Sequence, residues 1–145
     1  MDEFDDIFIA LVRKTSAASP VIACLFSGEN FPGFCAGMPR NPMPPIGHRF
    51  TTSLAIVLED AIRSNAAIHD GAIMLRHMPN DGGYTVAGWS FRLFPPLGRT
   101  IVEPNRGSAF NSCLAMSEVE SIDGVYLASS AGVHRFCRGI AFPLN

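Results

Sequence analysis

Apolar residues return along this chain with two different periods, and the switches between them lay out its elements. Phe4, Ile7, Phe8, Leu11 and Val12 recur at helical spacing, which predicts an amphipathic helix over residues 2–18 with one stripe turned to a core. Asp2, Glu3, Asp5 and Asp6 crowd its first turns and Arg13 and Lys14 its last. That order suits the helix dipole, so the acidic cluster reads as a solvated helix start rather than a metal site. Pro20 blocks further helix, and Val21 to Phe26 is a short apolar run of strand type. Residues 27–47 carry neither period but many glycines and prolines, and predict a long loop draped over a sheet edge.

Helical spacing resumes with Phe50, Leu54, Val57, Leu58, Ala61 and Ile62. It predicts a second helix from His48 to Ser64, closed by Asn65. A strand over 70–77 follows, then Pro79-Asn80-Asp81-Gly82-Gly83, a strong turn signal, and a returning strand from Tyr84 to Phe94. Pro95-Pro96 ends that hairpin. A third helix is predicted from Gly107 to Glu118, with Phe110, Cys113, Leu114 and Val119 on one face. Asp123-Gly124 reads as a turn before the strand Val125 to Ala128, which pairs back through Ser129–Gly132 with Val133 to Cys137. The fold expected is α/β (α+β): one domain over residues 1–145, a mixed central sheet flanked by helices. The strand from Gly71 to Arg76 should lie near its centre, with Ile73 and Leu75 buried beside Leu54 and Leu58.

Composition narrows the function classes. A chain of 145 residues, 48% hydrophobic and 17% charged, is long enough for one real core and too apolar for disorder. Its net charge of -2 and pI near 6.0 give no electrostatic case for nucleic-acid polymers or anionic membranes as partners. Cys24, Cys35, Cys113 and Cys137 form no Cys-x-x-Cys and no zinc-type spacing. Buried free thiols are expected, which favours a reducing compartment. The acidic N-terminus is unlike a signal peptide and the apolar runs are short of a membrane span, so the location expected is cytoplasmic.

Candidate chemistry gathers at Ala67-Ile68-His69-Asp70-Gly71-Ala72-Ile73. A polar corner runs straight into a core strand there, placing a carboxylate and a bare glycine backbone at the mouth of a sheet. His69 is expected to hydrogen-bond locally and hold the corner. His48, His77 and His134 are scattered without metal-ligand or nucleophile–base spacing. Ser129 and Ser130 belong to a turn, and Glu118 to a helix end.

The run Asn65 to Ile73 resembles the Asp-Gly-Ala signature of the diadenylate cyclase domain, whose members join two ATP molecules into cyclic di-AMP. The order of elements, the Pro95-Pro96 break and Gly107…Met116-Ser117-Glu118 extend the resemblance over roughly residues 8–138. It implies that Asp70 would serve as the catalytic carboxylate and hold a Mg²⁺ or Mn²⁺ ion if the domain is active, with no other cofactor. Gly71 and Ala72 would line a nucleotide. The family's second signature, an Arg-His-Arg run that grips phosphates, falls on Ala109-Phe110-Asn111 here, and a later acidic patch falls on Ser129-Ser130. Phosphoryl transfer depends on neutralising charge spread over phosphate oxygens, which Ala, Phe and Asn cannot do. Arg99 and Arg106 are the nearby cations that would have to substitute.

The leading expectation is therefore a catalytically degenerate relative that senses a nucleotide or nucleotide-derived second messenger. Its ligand site would comprise Asp70, Gly71, Ala72, Gly107, Ser108, Phe110 and Asn111, with Phe110 either stacking on a base or packing in the core. The alternatives are an active cyclase, formed by two domains meeting face to face as a homo-oligomer, and an interaction module that kept the fold without the ligand.

Overall fold

A seven-stranded mixed sheet with helices on both faces carries the chain. The computed structural model describes residues 2–15, 20–96 and 106–144. Its elements are α1 (Asp2–Lys14), β1 (Val21–Phe26), β2 (Cys35–Gly37), α2 (Leu54–Ser64), a 3-10 turn (Ala66–His69), β3 (Ala72–His77), β4 (Tyr84–Leu93), α3 (Ser108–Met116), β5 (Ile122–Ser129), β6 (Gly132–Cys137) and β7 (Ile140–Leu144). The strands lie in the order β2-β4-β3-β1-β5-β6-β7. β1 runs parallel to β3 and antiparallel to β5, and every other pairing is antiparallel.

The period-two pattern of β1 and β3 sorts their side chains onto two cores. Val21, Ala23, Leu25, Ile73 and Leu75 face α1 and α2, where they meet Phe8, Leu11, Leu54 and Leu58. Cys24, Phe26, Ala72 and Met74 face α3, where they meet Phe110, Cys113, Leu114 and Met116. Both strands are covered on both faces, which is why they read as unbroken apolar runs. Ile73, Leu75, Leu54 and Leu58 are all buried, as the sequence pattern requires.

Several predicted boundaries move, each for a physical reason. The first helix ends at Lys14, and residues 16–18 of the predicted span lie outside the described ones. The second helix starts at Leu54, because His48–Phe50 is taken up along β4: Val86 N donates to His48 O and Phe50 N to Tyr84 O. Phe50 is buried all the same, just ahead of the helix. Asp123-Gly124 is not a turn but part of β5, with Ser27 Oγ and Tyr84 Oη donating to Asp123 Oδ2 at 2.6 and 2.8 Å. β7 was not expected. Arg138 and Gly139 both take positive φ between β6 and β7, the two-residue hairpin geometry, without the Asn-Gly or Asp-Gly that advertises it. All four cysteines are free; Cys24 and Cys113 are buried, whereas Cys35 and Cys137 are half-buried, against the expectation for all four.

The long loop does lie on the sheet edge, and it contributes β2 to it. Met38 N donates to Ser90 O, Gly47 N to Val86 O and Trp89 Nε1 to Pro45 O, stitching the loop to β4. This covers an edge that would otherwise present unpaired backbone groups.

Candidate functional site

The polar corner ahead of β3 is held by its own backbone. Asn65 Oδ1 accepts from Ala67 N at 3.1 Å and caps the 3-10 turn. Asp70 N donates back to Ala67 O at 3.0 Å, and His69 Nδ1 donates to Ala66 O at 2.7 Å, the local role expected of that histidine. Ser90 Oγ donates to Ile68 O at 2.9 Å from within β4, where Ser90 sits at a positive φ beside a register shift. These bonds leave the Asp70 carboxylate at the surface, its side chain 74% exposed.

Gly71 is a glycine for a reason other than ligand approach. Its φ is +96°, and a Cβ there would lie 2.8–2.9 Å from the Ser90 and Phe91 backbone and the end of Met38. β4, not a ligand, occupies the space against it. The sequence-based reason for this glycine is thereby corrected.

The corner opens into a cleft of about 360 Å³ lined by residues from β1, β4 and α3 as well as His69, Asp70 and Gly71. Arg92, Ser108, Ala109 and Ser112 all face it. The volume falls in the range of small-molecule sites. Gly107, with φ +86°, precedes α3 and contributes no side-chain cap. The first intrahelical acceptance at this end is Gly107 O from Asn111 N, so the amides of Ser108, Ala109 and Phe110 have no acceptor within the helix, and the positive end of its dipole lies at the cleft. Arg92 and this helix start line the cleft together with Asp70, its one carboxylate among the described lining residues.

Not every predicted site residue reaches this cleft. Ala72 is buried, pairing with Ile22 and Phe91 in the sheet. Phe110 is 3% exposed and packs edge-on to Phe136 and His134, so of its two readings the core one holds in this structure. Asn111 is turned to its own helix, with Nδ2 donating to Gly107 O at 3.1 Å. Arg106 does not line the cleft; its guanidinium lies 4.9 Å from the Phe110 ring centre. Arg99 lies outside the described residues. Of the triplet Ala109-Phe110-Asn111, the cleft thus receives only the methyl group of Ala109.

Two arginines escaped the sequence reading. Counting back along the hairpin from His77↔Tyr84 puts Arg92 opposite His69 in an unbroken ladder and opposite Gly71 once the two register shifts are included. Either count brings it to the corner, so the signal was there. Arg40 had none, because the loop that carries it has no period. Its Nε donates to Ala67 O at 3.2 Å and one amino group to Pro39 O at 2.9 Å, while the other amino group lies 3.9 Å from Asp70 Oδ2.

The family resemblance implies a divalent ion at Asp70, and that is the one carboxylate the described lining residues offer it. Among the described residues no group of three or more His, Cys, Asp or Glu side chains could hold a metal. The group nearest the carboxylate that does bear charge is a guanidinium. A larger cavity of about 520 Å³ lies at the other end of α3, between residues 27–34 and 118–121, and none of the corner residues reaches it.

Comparison with known proteins bears on the fold. No family model matches the sequence, and no curated protein does. Among solved structures, a hypothetical membrane-spanning protein from Bacillus cereus superposes with a TM-score of 0.62 at 18% identity, over 96% of this chain and 59% of that one. DacA from Staphylococcus aureus, a diadenylate cyclase crystallised as a double mutant, superposes with a TM-score of 0.52 at 13% identity, over 97% of this chain and 81% of that one. This chain therefore spans less than two thirds of the length of the Bacillus protein. Identities this low establish a similar fold and leave activity to be argued from the site. Among the described residues, no helix is long and apolar enough to cross a membrane.

Proposed function

We propose that this chain is a nucleotide-binding sensor or regulatory domain on a diadenylate cyclase-like fold, without the cyclase reaction. The observation that carries the reading is convergence: the Asp70–Gly71 corner, Arg92 and the start of α3 meet around one cleft of about 360 Å³. A phosphate at the helix start would accept from free amides and from Arg92, the two donor types that anion sites commonly combine. Asp70 would accept from a ribose hydroxyl or base amino group. One guanidinium can anchor an anion, but it does not replace the three-residue phosphate clamp, whose positions here hold a methyl group, a buried ring and an uncharged amide.

Calorimetry with ATP and with cyclic di-AMP tests the binding half. Arg92→Ala should weaken binding by about tenfold or more, as loss of a charge-assisted bidentate donor does, while Arg13→Ala should not change it. Absence of binding by the unmutated chain up to about millimolar nucleotide, roughly -4 kcal/mol, would favour an interaction module instead. Incubation with ATP and Mn²⁺ should yield no cyclic di-AMP. Product that disappears in Asp70→Asn would restore the enzyme. Gly71→Val is unsuited to this test, since it strikes β4 first.

A further inference from the structure

Nucleotide phosphates usually reach a protein with a divalent ion, which takes one or two carboxylates besides the phosphates and waters. The cleft offers Asp70 alone, and that carboxylate already has a cation beside it. The Arg40 guanidinium is 3.9 Å from Asp70 Oδ2, and its side chain is only 14% exposed where that of Asp70 is 74% exposed. Arg40 is not a loose surface arginine that happens to lie near. Ala67 O and Pro39 O hold two of its nitrogens, and the third lies 3.8 Å from Met38 Sδ. Met38 in turn is tied to Ser90 O through its own amide, and its side chain fills the space where a Gly71 Cβ would be. The arginine is therefore fixed to the same corner that presents the carboxylate. A dication arriving at Asp70 would meet a fixed positive charge and find no second carboxylate among the described lining residues.

Resting on the nucleotide-binding reading, we propose that the cleft takes its anionic ligand without a divalent cation, Arg40 supplying beside Asp70 the positive charge a metal ion would bring. Arg40 does not line the cleft, so it is a positioning residue: it neutralises Asp70 and leaves Arg92 and the start of α3 to meet the phosphates. The Arg40 charge is built into the chain, whereas a bound ion would come and go with its concentration.

The test separates metal from nucleotide. Mn²⁺ alone is titrated into the full chain while the amide resonances of Asp70 and Gly71 are watched for paramagnetic broadening. The unmutated chain and Arg40→Lys, which keeps the charge, should show little broadening at these amides. Arg40→Gln should broaden at about tenfold lower Mn²⁺, the scale on which one nearby charge acts, and adding Asp70→Asn should abolish that gain. In parallel, ATP affinity of the unmutated chain should agree within about threefold in EDTA and in Mg²⁺, since a threefold change is under ~1 kcal/mol. Equal Mn²⁺ broadening of the unmutated chain and Arg40→Gln overturns the proposal, as does ATP binding that requires Mg²⁺. If ATP fails to bind in either buffer, the nucleotide reading falls and the Mn²⁺ series still decides the role of Arg40.

Discussion

Asp5 and Asp70 each have an arginine beside them, in opposite ways. Asp5 on α1 accepts from Arg135 on β6 and from Tyr126 on β5, the latter at 2.6 Å, and the ion pair is 13% and 16% exposed. Asp70 stands 74% exposed at a cleft, with Arg40 at 3.9 Å and no hydrogen bond to its carboxylate among the described residues. The first group closes contacts between segments more than a hundred residues apart, and the Arg135 guanidinium also lies over the Phe142 ring of β7. Each carboxylate oxygen there accepts from a side chain of the sheet. At Asp70 the arginine is the half-buried partner, bonded to two carbonyls, and the carboxylate is the exposed one. The same pair of residue types braces the fold in one place and leaves an acceptor for something else in the other.

The sharpest way to break this comparison is to remove the carboxylate at the braced end. Asp5→Ala leaves a nearly enclosed guanidinium and a fully buried tyrosine hydroxyl without their acceptor. The expected cost is about 3 kcal/mol, between the values for surface and fully buried pairs plus an orphaned hydroxyl. Urea unfolding followed by circular dichroism measures it. A loss below about 1 kcal/mol would put Asp5 in the same class as Asp70 and remove the distinction.

A smaller effect comes from alkali. Burial, and then the hydrogen bond to Asp5, push the Tyr126 hydroxyl well above its ordinary pKa. The folded state therefore holds that proton more tightly than the unfolded one. Its contribution is complete below the unfolded pKa near 10 and is lost as pH rises from there towards the folded value, by about 1.4 kcal/mol per pH unit. Tyr84, raised by burial and by Asp123, and Cys113, pushed up to about 12 by burial, titrate in the same sense. Comparing unfolding of the unmutated chain with Tyr126→Phe between pH 9 and 11 isolates the one group. The phenylalanine variant should lose stability less steeply above pH ~10, and parallel slopes would show that the Tyr126 proton is not held by Asp5 and burial.

The layout of strands and helices was legible because burial writes a period into the sequence. α1, β1, β3 and α3 each announce the face they bury, and Ile73 and Leu75 lie where that period puts them. The site was legible only in part. Asp70 and Ser108 do line one cleft, but Phe110 and Asn111 continue the helix and face away from it. A family alignment assigns positions in a motif, whereas the helix period decides which of three adjacent residues points outward. Arg40 was invisible for the complementary reason. Its neighbours Pro39, Asn41 and Pro42 carry no period, and only the stitching of that loop to β4 brings it to the corner.

The smallest expected effect is at Asp70 itself, and its smallness is what makes it informative. Asp70→Asn keeps the size of the side chain and removes the charge. Because the side chain is mostly in water and its ion pair is long, solvent screening should hold the change in unfolding free energy to about 0.5 kcal/mol or less. The backbone bonds that shape the corner run through Ala67, Ile68 and Asn65, none of them through the Asp70 carboxylate. Arg40 would keep its two carbonyl partners and still be satisfied. If its loss leaves stability alone, Asp70 is free to act on whatever enters the cleft it stands at. Denaturation and ATP calorimetry on the same variant read the two sides. Unchanged stability with ATP affinity altered several-fold places Asp70 in the binding site. A loss of stability near that of Asp5→Ala would mean instead that the carboxylate braces the corner, and that Asp70 serves the fold as Asp5 does.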